Sequence, residues 1–190
     1  MKLSIVSYLD PHSSAIVRSL QEELSGITHS KASLSSWQPH VTIGDGIELD
    51  DNELHELKTN LANIARETKQ FSLNLSDVGS MDNWKGGKDE EVTPYVIYLD
   101  VEVTDSLTSL VNQAAEISNR HTKWYIMPKP YLPHVTLAFR DLPKEGFHKG
   151  LHYLRGQDIE ISATIDHVAL VEKLPNLDRE LVRYRFNKSS

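Results

Sequence analysis

Two stretches that share four residues decide the fold of this chain: PHVTIG at 39–44 and PHVTLAF at 133–139. One copy lies in each half of the 190-residue sequence. In a β-strand, successive side chains point to opposite faces. Each copy therefore places its His and Thr on one face and two apolar residues on the other. The polar pairs are His40 with Thr42 and His134 with Thr136.

The sequence around the two copies repeats as well. Tyr-Leu-Asp stands at 8–10 and again at 98–100, each time at the end of a predicted strand and before an amphipathic helix. Each helix leads through a loop to an aromatic residue two positions before the proline, Trp37 in the first copy and Tyr131 in the second. Both aromatic residues share the face of the apolar pair, so we expect them in the core.

The order strand, helix, PHVT strand, helix, strand thus occurs twice, which is the signature of an internal duplication. We therefore predict an α+β fold in which a single two-lobed domain spans 1–190, with approximate repeat halves 1–93 and 94–190. The polar, glycine-rich segment NWKGGKDEEVTP at 83–94 lies at the boundary. It is either a surface connection or a mobile flap.

Hydrophobic periodicity predicts the individual elements. Gly26 is expected to end the first helix, and the Ser-rich residues 27–38 are expected to form a loop. Helices are predicted to begin near Pro11, Asp51, Asp105 and Lys144. Strands are predicted at 3–10, 39–44, 70–79, 94–103, 133–139, 159–165 and 181–186.

Composition excludes several classes of protein. The chain has no cysteine, which excludes disulfides and thiolate metal sites. No apolar run reaches the length of a membrane span. The N-terminal residues MKLSIVSYLD alternate like a strand and carry a single Lys, unlike a signal peptide. We therefore expect a cytoplasmic protein that does not associate with a membrane.

The formal net charge of −7 is unevenly distributed along the chain. Residues 1–95 carry 8 Lys and Arg against 15 Asp and Glu, whereas residues 96–190 carry 12 of each kind. An acidic protein without a block of Lys and Arg repels long polyanions. A long nucleic-acid duplex is therefore not an expected partner, but a small phosphorylated molecule held by a few local groups is.

Two His-x-Thr pairs on facing lobes would bring two imidazoles and two hydroxyls to one cleft. Imidazole titrates near neutrality, so one copy can act as a base while the other acts as an acid. Thr hydroxyls can donate hydrogen bonds to phosphoryl oxygens, where charge builds up during attack on a phosphodiester. His40 and His134 are therefore the predicted catalytic residues, and Thr42 and Thr136 the predicted substrate-binding residues. No metal and no cofactor are expected.

Paired motifs of this kind, here PHVTIG and PHVTLAF, resemble the two-histidine phosphoesterase superfamily. That superfamily includes the bacterial 2′-5′ RNA ligase-like proteins and the cyclic nucleotide phosphodiesterases. The resemblance implies two small antiparallel sheets that face a central cleft, with helices on the outside. It also implies action on 2′,3′-cyclic phosphates, on ADP-ribose cyclic phosphate or on 2′-5′ linkages. The expected partner is therefore a small nucleotide or an RNA end that carries a phosphodiester.

Members of this superfamily also use aromatic residues near the cleft to hold a base. The matching positions are Tyr8, which ends the first predicted strand, and Phe139, which follows the second motif. Both are therefore predicted substrate-binding residues. The choice between hydrolysis and ligation, and between the two histidines as base and acid, stays open. We expect the protein to be a monomer.

Alternative interpretations of the same residues also stay open. A nucleotide-binding module without significant turnover would need the cleft but not two proton-transfer groups, and a scaffold would keep the cleft only as a vestige. His148 and His152 are four residues apart and could share a helix face, but a metal site there lacks a third ligand. The segment RHTKWYIMPKPY at 120–131 either borders the cleft and stacks a base or forms a solvated loop with buried rings.

Overall fold

The computed structural model describes residues 1–36, 38–84, 92–121, 131–174 and 177–188. Within those ranges the chain forms eight strands and five helices. In chain order they are β1 (Lys2–Tyr8), α1 (Pro11–Thr28), α2 (Ala32–Ser36), β2 (His40–Glu48), α3 (Asp51–Glu67), β3 (Phe71–Met81), β4 (Val96–Val101), α4 (Asp105–His121), β5 (His134–Ala138), α5 (Lys144–Leu154), β6 (Ile161–Ile165), β7 (His167–Lys173) and β8 (Asp178–Arg185).

The strands form two antiparallel sheets of four strands each. The first sheet has the order β2-β1-β7-β8, and the second has the order β5-β4-β3-β6. Both PHVT strands, β2 and β5, therefore lie at an edge of their sheet. The predicted α+β class, with two antiparallel sheets and helices packed on them, is confirmed.

The two sheets do not coincide with the repeat halves 1–93 and 94–190, because the halves exchange elements. Strand β3 of the first half pairs with β4 and β6 of the second, and β7 of the second half pairs with β1. The helices cross over as well, since α1 packs on β5 and β6 while α4 packs on β2. One continuous apolar core therefore joins both halves, with buried side chains from both sheets.

Helix α1 begins where the sequence predicted and ends later. The Asp10 carboxylate accepts hydrogen bonds from the backbone N–H groups of His12 and Ser13, and Pro11 opens the first turn. Gly26 was expected to end the helix, and this prediction is wrong. The helix continues to Thr28 and ends at His29, which adopts a left-handed φ of 64°. Thr28 and Leu24 are fully buried there, which outweighs the roughly 1 kcal/mol helix cost of one glycine.

Helix α5 begins at Lys144, as predicted, and its two glycines have a packing reason. A Cβ at Gly146 would lie 2.5 Å from the Thr28 carbonyl oxygen, and one at Gly150 would lie 2.9 Å from Ile97 Cδ1. These contacts show that α5 packs closely against the end of α1 and against β4. The glycines therefore permit a helix–helix approach that a larger residue would prevent.

Strand β7 is not among the strands predicted from the sequence, which in this region are 159–165 and 181–186. Its first five residues, His167–Val171, are all buried. Val168 and Leu170 belong to the main core, whereas Ala169 and Val171 form a small separate cluster with Val6 on the other face. A strand covered on both faces shows no alternation, so periodicity did not reveal it.

The predicted loop at 27–38 also contains the short helix α2.

Candidate active site

The two motif histidines each begin an edge strand, and the two edge strands contact each other. His40 is the first residue of β2, His134 is the first residue of β5, and the two strands pack together. The charge of His134 also influences the pKa of His40, which requires the two rings to be near each other. The structure therefore brings both PHVT copies to one place.

The alternation within each motif is as predicted. Val41, Ile43 and Val135 are completely buried, and Leu137 is 1% exposed. The His and Thr residues of both motifs are partly exposed on the opposite face. The apolar residues therefore anchor each strand in the core, and the polar residues remain accessible.

Both imidazoles are held in the same way. The His40 Nδ1 lies 2.7 Å from the carbonyl oxygen of Gln38, and the His134 Nδ1 lies 3.0 Å from that of Leu132. A carbonyl oxygen only accepts hydrogen bonds, so each Nδ1 carries a proton and donates it. In the neutral ring, Nε2 then carries the lone pair. The two rings are therefore fixed as the same tautomer.

Both histidines hold a proton less readily than an ordinary imidazole. Burial, reinforced by the positive charge of Lys173, lowers the pKa of His40 to about 3. Burial also lowers the pKa of His134, and the hydrogen bond to Leu132 and the charge of Asp100 partly oppose that effect. For His40 the expectation of a titration near neutrality therefore needs correction, because desolvation disfavours the charged form. In the unliganded protein both rings are neutral at pH 7.

The residues opposite the two histidines differ. On β1, Tyr8 pairs with His40, whereas on β4 it is Asp100 that pairs with His134. The two Tyr-Leu-Asp triplets therefore align with an offset of two residues in the sheets. Tyr98 lies opposite Thr136, and its ring centroid is 4.9 Å from that of His134.

Tyr8, a predicted substrate-binding residue, lies beside His40 and is surrounded by other side chains. Its ring centroid is 6.1 Å from the ring of His40 and 5.7 Å from that of His167, and the Arg183 guanidinium lies 4.9 Å above it. Burial and the charge of Glu180 raise the pKa of Tyr8 to about 12, so its hydroxyl remains protonated.

A cavity of about 340 Å³ adjoins His40 and Tyr8. It is bordered by α2, by the start of β2, by Leu177 and by the start of β8. Arg18 helps to shape it, because its guanidinium donates to the carbonyl oxygens of Ser33 and Leu34. The lining residues are Val6, Tyr8, Arg18, Leu34, Ser35, Gln38, His40, Leu177, Asp178 and Glu180.

Phe139 lies in a different environment from Tyr8. It is 7% exposed and packs with Val96 and Tyr98, and its ring meets Trp84 edge-on at 5.9 Å. It does not line the cavity beside His40. In the structure Phe139 supports the face of the second sheet on which His134 lies.

Two cations near the motifs were not found from the sequence. The Lys173 ammonium lies 2.8 Å from an Asp178 carboxylate oxygen and acts on the pKa of His40. Arg140 directly follows PHVTLAF, has a left-handed φ of 63° and acts electrostatically on both Lys173 and Asp178. Left-handed backbone is uncommon outside glycine, and such positions cluster at functional sites. The position of Arg140 directly after the second motif could have marked it as a residue of the site. Lys173 lies at the end of β7, a strand that hydrophobic periodicity did not reveal.

Comparison with known proteins agrees with this arrangement. A family model described as the 2′-5′ RNA ligase superfamily matches residues 10–176. The chain belongs to this superfamily. Its function is accordingly that of a phosphoesterase or a 2′-5′ RNA ligase-like protein.

The chain is also similar to a curated protein and to solved structures. A Geobacillus sp. (strain WCH70) protein named "Putative phosphoesterase" is 28% identical over 138 residues, which is 73% of this chain and 72% of that protein. The crystal structure of TT0787 of Thermus thermophilus has a TM-score of 0.70 at 18% identity and covers all of both chains. That of E. coli LigT complexed with 3′-AMP has a TM-score of 0.59 at 16% identity and covers 98% of each chain. The two structural likenesses show the fold.

The remaining sequence predictions concern a possible metal site and three segments that lie partly or wholly outside the described residues. His148 and His152 lie on α5, and among the described residues no three His, Asp or Glu side chains are grouped so that they could hold a metal ion. Trp37 lies outside the described residues, as do 122–130 of the segment RHTKWYIMPKPY and 85–91 of NWKGGKDEEVTP. None of the helices in the described ranges has the length and apolar character that a membrane crossing requires.

Proposed function

We propose that this protein is a metal-independent phosphodiesterase that uses two-histidine acid/base catalysis. Its substrate is a cyclic phosphate, on a 2′,3′-cyclic nucleotide or an RNA end, or a 2′-5′ phosphodiester. One observation carries the proposal: two imidazoles of the same tautomer begin two contacting edge strands, with their Nδ1 atoms tied to the backbone in the same way.

In this mechanism the histidines transfer protons, and the other residues of the site bind the phosphoryl group. The Nε2 of one histidine removes a proton from the attacking oxygen, and the Nε2 of the other gives a proton to the leaving oxygen. Thr42 and Thr136 lie two residues further along the same strand faces, so their hydroxyls donate to the non-bridging phosphoryl oxygens. Lys173 and Arg140 contribute positive charge to the same region and stabilise the anionic substrate.

The low proton affinity of the unliganded histidines suits an anionic substrate. A phosphodiester carries a negative charge, and a negative charge beside an imidazole favours its protonated form. Binding of the substrate therefore raises the pKa of both rings and brings one proton into the pair. The pair then holds one base and one acid, as the reaction requires.

A small nucleotide or an RNA end is the proposed partner. The E. coli LigT structures include complexes with 3′-AMP, with phosphate and with ATP. The cavity beside His40 in the present chain is bordered by Tyr8, Gln38 and Arg18. A cavity of about 340 Å³ is large enough for one nucleoside rather than for a duplex.

The test is turnover of 2′,3′-cyclic mononucleotides and 2′-5′ dinucleotides by the wild-type protein and by His40→Ala and His134→Ala. We expect each variant to fold and to lose about a hundredfold or more in kcat. His152→Ala is the matched control, since its exposed side chain lies on α5 outside the motifs. Full activity in either folded motif variant would contradict the mechanism. Nucleotide binding by a wild-type protein that turns over none of these substrates would instead support a binding module.

A further inference from the structure

The short helix α2 contacts both halves of the candidate site. Ala32, at its start, packs on the apolar cluster around Tyr98, whose ring lies beside that of His134. Leu34, further along the same helix, lines the cavity beside His40. The helix therefore lies where it can contact the part of a substrate that extends beyond the phosphoryl group.

Helix α2 depends on other parts of the chain for its shape and position. It spans only Ala32–Ser36. A helix of this length is not stable by itself in water, because its nucleation costs more free energy than so few hydrogen bonds return. Charged side chains from outside the helix bind its backbone at both ends, and these contacts fix the wall that α2 forms.

The carboxylate of Asp141 holds the start of α2. Its Oδ1 accepts hydrogen bonds from the Ser30 hydroxyl, at 2.6 Å, and from the Ala32 backbone N–H, at 3.3 Å. Its Oδ2 accepts a hydrogen bond of 2.8 Å from the Lys31 backbone N–H. Asp141 follows shortly after β5, so these bonds attach α2 to the end of the second motif.

The guanidinium of Arg18, on α1, holds the other end of α2. Its Nη1 donates to the carbonyl oxygens of Ser33 and Leu34, at 3.0 and 3.4 Å. The last carbonyl groups of a helix lack partners within the helix, and a basic side chain can bind them. Arg18 also lines the cavity. The same side chain therefore positions α2 and borders the space beside it.

The cavity that α2 borders is suited to a nucleoside. Leu34 lines it with an aliphatic side chain, and Tyr8 lines it with an aromatic one. A nucleobase has two flat faces that stack on aromatic rings and pack against apolar groups. The cavity adjoins His40, so a nucleoside that fills it lies next to the position of its own phosphate.

We propose that α2 is the wall of the cavity that selects the nucleoside moiety of the substrate, and that Asp141 and Arg18 are the positioning residues that hold this wall in place. The inference rests on the proposed phosphodiesterase function and deepens it. It assigns the choice among substrates to a segment that takes no part in the proton transfers.

Leu34→Trp tests the wall directly. The larger side chain occupies part of the cavity, so the KM of a 2′,3′-cyclic nucleotide should rise about tenfold or more. Glycerol 1,2-cyclic phosphate has the same cyclic phosphate ring but no base, and its kcat/KM should stay at the wild-type value. Ile16→Trp is the matched control, because it adds the same ring at an exposed position of α1 that does not line the cavity. An equal loss on both substrates, or no loss on either, would overturn the proposal.

Asp141→Asn tests the positioning role. An amide has one acceptor oxygen, so it cannot accept from all three donors that the carboxylate binds. Loss of such bonds should raise the KM of the cyclic nucleotide about tenfold or more and leave kcat/KM on glycerol 1,2-cyclic phosphate unchanged. Asp158→Asn is the matched control, since it changes an exposed carboxylate between α5 and β6. A variant that loses kcat on both substrates alike, or loses nothing, would show that Asp141 does not act through α2.

Binding measurements separate this inference from the proposed function. The probes are a 3′-nucleoside monophosphate and inorganic phosphate, titrated by calorimetry into the wild-type protein, Leu34→Trp and Asp141→Asn. We expect both variants to bind the nucleotide about tenfold or more weakly than the wild type and to bind phosphate equally well. If this pattern holds while the wild type turns over neither cyclic substrate, the proposed activity is wrong and the role of α2 stands. If the wild type turns over both substrates and the variants bind the nucleotide as it does, the activity stands and the role of α2 is wrong.

Discussion

The Tyr131 hydroxyl donates a hydrogen bond of 2.7 Å to the backbone carbonyl oxygen of Thr42. A matching bond of 2.9 Å joins the side-chain amide of Gln21 to the backbone carbonyl oxygen of Thr136. In each case the acceptor is the motif threonine of one half, and the donor comes from the other half. These two bonds tie the backbones of the edge strands β2 and β5 to residues from the other half of the chain.

Tyr131→Phe should therefore lower kcat more than it changes KM. The ring that packs on the core remains, but the bond that fixes the Thr42 backbone is lost, at a cost of about 0.5–1.5 kcal/mol. A misplaced catalytic strand loses rate, because proton transfer depends strongly on geometry. Tyr153→Phe is the control, since it removes a hydroxyl that bonds to Glu23 at the surface. The measurement is kcat and KM of both variants. Equal kcat values in the two variants would contradict the positioning role of Tyr131.

Thr42→Val and Thr136→Val should each reduce kcat/KM by roughly ten- to a hundredfold. Valine keeps the β-branched shape and the strand preference but removes the hydroxyl donor. A hydrogen bond to a charged oxygen contributes about 1.5–3 kcal/mol, which gives that range of rates. Thr→Ser at either position should retain most activity, because the donor survives. If valine has no effect at either position, the hydroxyls do not reach the phosphoryl group.

The sequence was sufficient to predict the two motif strands and, on each of them, the face that carries the His and the Thr. These features depend on local periodicity, which a strand or helix imposes on its own residues. The exchange of β3 and β7 between the sheets could not be predicted in this way. Alternation shows which face of a strand is buried, but it does not show which other strand supplies the neighbouring hydrogen bonds.

The same limit explains which site residues were missed. Lys173 lies more than 130 residues from His40 in the chain, yet its charge acts on the pKa of His40 in the folded protein. Asp100 was visible in the repeated Tyr-Leu-Asp triplet, which suggested that Tyr98 was the counterpart of Tyr8. The strand register instead makes Asp100 the counterpart of Tyr8. A shift of two residues preserves the alternation of faces, so the sequence pattern cannot detect it.

Chelators should leave the activity unchanged. In the proposed mechanism the two imidazoles provide the proton transfers, and Lys173 and Arg140 provide positive charge, so no metal ion is needed. Cyclic phosphate turnover with and without EDTA is the measurement. Loss of activity in EDTA that a single divalent ion restores would falsify the two-imidazole mechanism.

The alkaline limb of the kcat profile should lie at higher pH than that of kcat/KM. The kcat/KM profile reports the unliganded protein, in which burial lowers the pKa of both motif histidines. The kcat profile reports the substrate complex, in which the phosphodiester anion favours the protonated ring. Both profiles are measured on one 2′,3′-cyclic nucleotide from about pH 4 to pH 9. Coincident limbs would mean that the substrate charge does not act on the acid.

Stability should depend on pH through His40. The pKa of His40 is about 3 in the folded protein, against about 6.5 for an unperturbed histidine in the unfolded chain. Between these values the unfolded chain binds a proton that the folded chain does not, so the free energy of unfolding rises with pH in this window and falls as the pH drops. The loss at pH 5 is on the order of 2 kcal/mol relative to pH 7.5.

His40→Gln removes this titration and keeps a polar side chain at the start of β2. The variant should therefore gain stability relative to the wild type as the pH falls from 7.5 to 5, whatever their difference at pH 7.5. Urea unfolding at pH 5, 6 and 7.5 gives the comparison, and His152→Gln controls for loss of an exposed imidazole. His134 and His167 also have lowered pKa values and remain in both proteins, so their contributions cancel in the difference. A wild-type-minus-variant difference that stays constant with pH would mean that His40 is not desolvated in the folded protein.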